Sequence, residues 1–352
     1  MKTPETGAPQ IALEDDVFPL PLATAPMEAK SAATLPEGDN WQYEPKWDGF
    51  RCLVFKSGDR VELRAKSGKP LGRYFPEVVA MFRAVQADDF VLDGELVIEI
   101  NGRLAFDALQ MRLHPAESRI RKLSQQTPAR FSMFDMLAID GQSLMEEPLS
   151  VRRVRLEAFT ERVRTTPLLM LSAYTLNHGR ALTWLSESGG ATDGVVAKDR
   201  TLPYLAGERA MIKVKRLRTA DCVVGGFRYE SDSAMVGSLL LGLYDDDGKL
   251  DHVGFTATIT DEERPALTKR LQALRAPPGF TGKAPGGPSR WSTERSGEWQ
   301  PVKPSLVVEV RFDHVTGRRF RHGTKLMRWR PDKAPRQCTF EQIEPPLRVA
   351  AE

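Results

Sequence analysis

The stretch Glu44-Pro45-Lys46-Trp47-Asp48-Gly49-Phe50-Arg51 decides how the rest of the chain is read. It closes a strand-like run from Trp41 to Tyr43 and opens a hairpin in which FRCLVF and RVELR flank the turn Lys56-Ser57-Gly58-Asp59. A lysine is a covalent nucleophile only when it has lost its proton. Nearby cations or a bound metal favour that form. Gly49 lets backbone pack closely beside it. The same string also reads as a strand end with a surface lysine, so the remaining chain must decide.

Four further strings bear on that choice. LDGELVI (92–98) puts Glu95 in mid-strand beside Gly94, and a glycine inside a strand marks close approach of a ligand or backbone. A carboxylate there suits Mg²⁺, which takes oxygen ligands and substrate phosphates. TDGVVAK (192–198) places Val196 and Lys198 on one strand face, with Asp193 ahead of them. IKVKR (212–216) projects Lys213 and Lys215 from one face, where a shared anion would relieve their repulsion; a solvated edge strand is the alternative. GRRFRHGTKLMRWRPDK (317–333) concentrates Arg318, Arg319, Arg321, Lys325, Arg328, Arg330 and Lys333 around Phe320 and Trp329. That mixture suits a polynucleotide backbone or a polyphosphate.

Around these strings the pattern predicts an α+β chain. Residues 1–40 read as a lead-in segment rich in Pro and Ala. Helices are expected over 74–86, 106–126 and, basic and amphipathic, 151–163. Strands are expected over 90–100, closed by Asn101-Gly102, over 131–139, followed by Asp140-Gly141, and over 194–198 and 211–215. After residue 217 short strands dominate (DCVVGGF, GSLLLGLY, HVGFTATI, LVVEVRF), with one helix over 261–274 and a loop rich in Pro, Gly and Ser over 276–300. Such a texture suits a small barrel of the OB type. No Walker loop or dinucleotide fingerprint is present, so nucleotide chemistry must use another device.

With 352 residues the chain is long enough for two domains. A net charge of +3 implies no strong overall field, so local clusters must do the binding. Cys52, Cys222 and Cys338 fit no metal spacing and read as reduced thiols. Acidic residues interrupt the start, which therefore is not a signal peptide, and no apolar run spans a bilayer. A cytoplasmic protein without membrane contact is expected.

Taken in order, the strings resemble the motifs of the covalent nucleotidyltransferase superfamily of DNA ligases, RNA ligases and capping enzymes. KWDGFR resembles the first motif, LDGELVI the third, FSMFDML (131–137) the aromatic one that follows, TDGVVAK the fourth, IKVKR the fifth and RPDK (330–333) the sixth. NWQYEPKWDGFR, RYFPEVV, LHPAESR, LRTADCVV, GSLLLGLY and RWRPDK together resemble the ATP-dependent DNA ligases, in particular the bacterial stand-alone ligase C group. The resemblance implies an adenylation domain (1–217) of antiparallel sheets with flanking helices, then a β-barrel OB-fold domain (218–352), without an added N-terminal DNA-binding domain. It implies a monomer that uses ATP and Mg²⁺, with Mn²⁺ as an alternative, on nicked double-stranded DNA in repair.

By position, the resemblance makes Lys46 the nucleophile and puts Glu44 on adenine, Arg51 on the ribose and later the 5′-phosphate, and Phe134 against the base. It puts Glu95 and Asp193 at the metal, and Lys213 and Lys215 on the α-phosphate, with Val196 and Lys198 along the same strand. Arg330, Asp332 and Lys333 would orient pyrophosphate when the second domain closes over a hinge near Leu217–Thr219. Three positions depart from the pattern. Asp193 stands where Glu is usual, Met211 where Trp is frequent, and Ala65-Lys66 where Ser-Arg is usual. Lys66 thus offers a point charge instead of a bidentate fork. An RNA ligase, a capping-type guanylyltransferase and a non-catalytic nucleic-acid-binding protein are the rival readings.

Overall fold

A computed structural model describes residues 17–163, 167–188, 192–286 and 298–344. The chain forms two compact units, Met1–Lys215 and Arg216–Glu352.

The first unit carries strands β1 (Ala29–Ser31), β2 (Trp41–Pro45), β3 (Phe50–Ser57), β4 (Arg60–Ala65), β5 (Asp89–Val97), β6 (Glu99–Ile100), β7 (Arg103–Leu104), β8 (Arg130–Ile139), β9 (Gln142–Ser143), β10 (Leu169–Leu171), β11 (Val195–Asp199) and β12 (Met211–Val214). Its helices are α1 (Pro76–Ala84), α2 (Phe106–Arg112), α3 (Glu117–Gln126), α4 (Leu149–Val163) and α5 (His178–Glu187). One sheet runs β10-β8-β5-β3-β4 with β9 on β8; a second runs β1-β12-β11-β2. The sheets are not wholly antiparallel, as had been expected. β10 lies parallel to β8, and β1 parallel to β12.

The larger sheet is buried on both faces, which explains why β3, β5 and β8 read as nearly unbroken apolar runs. On one face Val54, Leu92 and Met133 pack under Val78 and Phe82 of α1 and Leu156 and Phe159 of α4. On the other, Leu53, Phe55, Val91 and Leu137 meet Leu20, Leu22, Met27 and Tyr204. Residues from 17 onward therefore belong to the fold, and the lead-in reading is corrected for them: Leu20, Leu22 and Met27 need burial and find it in this cluster. The smaller sheet is capped on one face by α5, where Tyr43, Val195 and Val214 surround Ala181.

Two local expectations fail for identifiable reasons. The helix expected over 106–126 is two helices, because Pro115 cannot continue α2 and His114 is driven out of helical geometry before it. The helix over 151–163 is not simply basic outside and apolar inside, since Arg152 and Arg153 lie on its buried face. Arg152 clamps Asp135 with Nε–Oδ1 and Nη2–Oδ2 contacts of 2.8 and 2.9 Å, and Arg153 bonds the Ser172 carbonyl at 3.0 Å. Asn101-Gly102 and Asp140-Gly141 do form hairpin turns, all four with positive φ (49° to 76°).

The second unit contains β13 (Arg218–Tyr229), β14 (Val236–Tyr244), β15 (Leu250–Thr256), α6 (Arg264–Ala273), β16 (Gln300–Pro301), β17 (Val307–Phe312), β18 (Val315–Thr316), β19 (Arg319–Phe320) and β20 (Lys325–Trp329). Its sheet runs β15-β14-β13-β17-β20. A single bridge joins Thr256, at the end of β15, to Thr324, the residue before β20, and Thr256 Oγ1 donates to the Thr324 carbonyl at 2.9 Å. Part of the loop expected over 276–300 lies outside the described residues.

Candidate active site

Cross-strand register gathers the sequence motifs in the first unit. In the smaller sheet Val196 lies opposite Glu44 on one side and Lys213 on the other, so three strings converge in one row. In the larger sheet Arg51 lies opposite Glu95. These rows line a cleft of about 180 Å³ together with Lys46, Trp47, Lys66, Phe134, Lys198 and the wall Pro26–Ala29. Phe134 owes its place to a β-bulge: Asp93 pairs with Asp135 and Gly94 with Met133, leaving Phe134 as the extra residue. A bulge re-aims a side chain in this way, and no alternation in FSMFDML signals it.

Lys46 follows β2 and is pinned to the loop before β11 from both directions. Its amide donates to the Gly194 carbonyl at 2.9 Å, and the Asp193 amide donates to the Lys46 carbonyl at 2.8 Å. Lys46 Nζ lies 2.8 Å from Asp193 Oδ2, which Lys215 Nζ approaches to 3.0 Å. Burial opposes ionisation of Asp193, but Lys46 and Lys215 outweigh it and hold the carboxyl below its ordinary range. Glycine is required on both sides. A Cβ at Gly194 (φ 141°) would lie 2.2 Å from the Val214 carbonyl, and one at Gly49 2.1 Å from the Leu96 carbonyl.

The remaining groups divide by partner. Glu44 is buried, with Gln42 Nε2 donating to Oε1 at 2.8 Å and Lys198 Nζ at 2.8 Å from Oε2. Lys198 Nζ and the Arg51 guanidinium lie over the Phe134 ring, 4.3 and 4.5 Å from its centroid. Arg51 gives both arms of its fork to the fully buried Asp93, which keeps it charged against the cost of burial. Burial pushes Glu95 up to about 7, against the opposing pull of Arg51 and Lys46. Lys213 is pushed down, by burial first and then by Lys46 and Lys215. Lys213 sits on β12, an interior strand between β1 and β11, so it does not blunt a sheet edge. β12 ends at Val214, one residue short of the expected strand, and Lys215 turns to Asp193.

Three residues of this neighbourhood escaped the sequence reading. Asp93 was quoted but given no role, although it anchors Arg51. Tyr204 sits in a connection without periodicity and bonds the same carboxylate. Glu28 belongs to the supposed lead-in and pairs with Lys66 at 2.9 Å. Only the Asp-Gly-Glu spacing offered a signal, and for Asp93 alone.

In the second unit Arg330 is held between Asp221, 2.8 Å from Nη1, and Asp332, 2.8 Å from Nη2; Lys333 Nζ lies 3.5 Å from Asp221. The Arg330 hydrogen bond draws the Asp332 carboxyl down to about 2. Phe320 is buried and Trp329 packs against the core of this unit, under the guanidinium of Arg270. Among the described residues no three His, Cys, Asp or Glu side chains form a metal cluster, and no helix is long and apolar enough to cross a membrane.

Residues 22–215 match the family model of the ATP dependent DNA ligase domain, and residues 232–333 that of the ATP dependent DNA ligase C terminal region. The chain is 44% identical over 341 residues to DNA ligase C1 of Mycolicibacterium smegmatis, covering 94% of this chain and 96% of that one. It is 42% identical over 349 residues to DNA ligase C of Mycobacterium tuberculosis, covering 95% and 97%. A solved Lig E DNA ligase superposes with a TM-score of 0.54 at 18% identity, over 86% of this chain and 100% of that one, a likeness of fold alone.

Proposed function

Because the chain belongs to the ATP-dependent DNA ligase family, and as such is an enzyme that uses ATP to join DNA, we propose that Lys46 carries AMP to the 5′-phosphate of a nick. In the first step Lys46 Nζ forms a bond to the α-phosphorus of ATP and pyrophosphate leaves. In the second, the 5′-phosphate takes AMP from Lys46. In the third, the 3′-hydroxyl attacks that phosphate and AMP is released. Each step depends on in-line positioning and charge neutralisation.

The roles follow the cleft. Glu44 and Phe134 receive the adenine, and Val196 and Lys198 form the strand beneath it. Arg51 serves the ribose, and Lys213 and Lys215 neutralise the α-phosphate, with Lys66 at the rim. Asp193 is the counter-ion that Lys46 must leave when the phosphate arrives. Arg330, Asp332 and Lys333 belong to the second unit and are assigned to the departing pyrophosphate by their place in the last motif, not by the cleft. Glu95 fits Mg²⁺, being a buried carboxyl beside Asp93 and Asp48 whose ionisation a cation would favour. Asp193 would share the ion once released by Lys46. When bound, Mg²⁺ supplies charge neutralisation at the phosphates.

What supports this reading most is the row Glu44–Val196–Lys213, which meets Lys46, Arg51 and Phe134 around one cleft. Residues 1–217 are then the adenylation domain and 218–352 an OB-fold, whose barrel would close where Thr256 meets Thr324. The reading extends to a monomer acting in DNA repair, and three buried free cysteines support its cytoplasmic part alone. The test is sealing of a nicked duplex bearing 3′-hydroxyl and 5′-phosphate with ATP, beside a nick without the phosphate and a nicked RNA duplex. Sealing of the phosphorylated DNA nick alone supports the reading. Preference for the RNA duplex would overturn it.

A further inference from the structure

The hydroxyl of Tyr204 stands in a closed ring of hydrogen bonds that includes the cleft-lining residues Met27 and Arg51. The Met27 amide donates to Tyr204 Oη at 2.9 Å, and Tyr204 Oη donates to Asp93 Oδ2 at 2.6 Å. Asp93 accepts both arms of the Arg51 guanidinium. Arg51 Nη2 in turn donates to the Met27 carbonyl at 3.3 Å, which returns the ring to its start. Met27, Tyr204 and Asp93 are all buried, at 5%, 4% and 0% exposure. Burial and the Asp93 charge both push the Tyr204 phenol up, so it stays the donor toward that carboxylate.

Asp93 alone would hold the Arg51 fork. The Tyr204 hydroxyl adds something different, because it ties that fork to Met27 on the wall Pro26–Ala29. Those segments lie 177 residues from Tyr204 and 24 from Arg51 in the chain, so no local geometry fixes them. A phenylalanine would fill the same apolar space beside Leu53 and Val91 but would leave the Met27 amide without its acceptor. A hydroxyl using both its donor and its acceptor capacity here is a constraint on where Arg51 points.

We infer that Tyr204 is a positioning residue for adenylation, acting through Arg51 by locking its guanidinium to the cleft wall. The inference rests on the reading that Arg51 serves the nucleotide. It acts on alignment, so the maximal rate of lysyl-AMP formation should change more than the ATP concentration that half-saturates it.

The experiment is a double-mutant cycle with Tyr204→Phe and Arg51→Lys, read as single-turnover adenylation of the full chain over a range of ATP concentrations. Arg51→Lys keeps the charge but loses the fork. Tyr204→Phe should slow the maximal rate about tenfold in the wild-type background and change half-saturation by less than about twofold, and its effect should nearly vanish beside Arg51→Lys. An equal slowing in both backgrounds would show that Tyr204 acts on the fold and not through Arg51, and would overturn the inference. If Arg51→Lys itself left adenylation unchanged, the reading of Arg51 would fail and the inference with it. Should Tyr204→Phe not fold, Tyr204→His, which keeps a ring with one donor and one acceptor, takes its place in the same cycle and is judged by the same two outcomes.

Discussion

Asp193 and Lys46 hold one another twice, through the Asp193 amide on the Lys46 carbonyl at 2.8 Å and through a 2.8 Å side-chain ion pair. The backbone bond fixes where the lysine stands; the ion pair stores its charge. To serve as the proposed nucleophile a lysine so placed must first be released, and the cations Lys213 and Lys215 beside it favour an incoming phosphate that would release it.

Gly49 sets how close this lysine segment comes to the strand bearing Glu95. Gly49→Ala would bring a Cβ within 2.1 Å of the Leu96 carbonyl and 2.8 Å of Glu95 Cγ. Backbone cannot yield as a flexible side chain can, so the substitution should cost about 1–3 kcal/mol and displace Glu95. Chemical denaturation should show the lower midpoint, and adenylation should fall with it. An unchanged midpoint would mean that the two segments are not in such contact.

Glu44 and Lys198 form a buried pair, each under 5% exposed. Removing one partner leaves the other's charge uncompensated, so Lys198→Met should destabilise the protein by about 3–5 kcal/mol. The double variant Glu44→Gln/Lys198→Met should recover part of that loss. Additive losses in thermal unfolding would contradict the pairing.

Glu95 gives a pH signature. Its folded value of about 7 lies above the ordinary 4.5, so the folded state binds this proton more tightly than the unfolded chain. Its contribution is therefore most favourable at low pH and declines as pH rises from about 4.5 through about 7. Without nucleotide and Mg²⁺, the unfolding midpoint of the wild type should fall relative to Glu95→Gln across that window. Parallel curves for the two proteins would refute the raised value.

Arg330 and Asp332 form a local pair whose proposed target, pyrophosphate, exists only in the first step. Arg330→Ala and Asp332→Ala should therefore impair self-adenylation by about tenfold or more, while sealing of pre-adenylated nicked DNA suffers less. Equal loss in both assays would remove the distinction.

How much of this was legible in the sequence depended on what kind of constraint was at work. That Lys46, Glu95 and Lys213 gather at one cleft was legible because each sits in a short string of distinctive residue type and spacing. The turns at Asn101-Gly102 and Asp140-Gly141 were legible because positive φ restricts residue choice. The Pro115 break could have been read from the proline itself. Phe134 could be quoted but not aimed, since a bulge depends on the partner strand and leaves no mark in its own. Arg152 and Arg153 looked like solvent-facing charge because their buried partners, Asp135 and the Ser172 carbonyl, lie on other elements. Tyr204 and Met27 were silent for the same reason, being joined across 177 residues.

The most direct test is the intact mass of the protein after pyrophosphate has stripped carried AMP and ATP with Mg²⁺ has been added, beside Lys46→Ala and a GTP sample. An increase of one AMP in the wild type with ATP, and in neither control, is the predicted result. A stripped wild type that takes up no AMP, or a Lys46→Ala protein that labels as well, would contradict the assignment of Lys46.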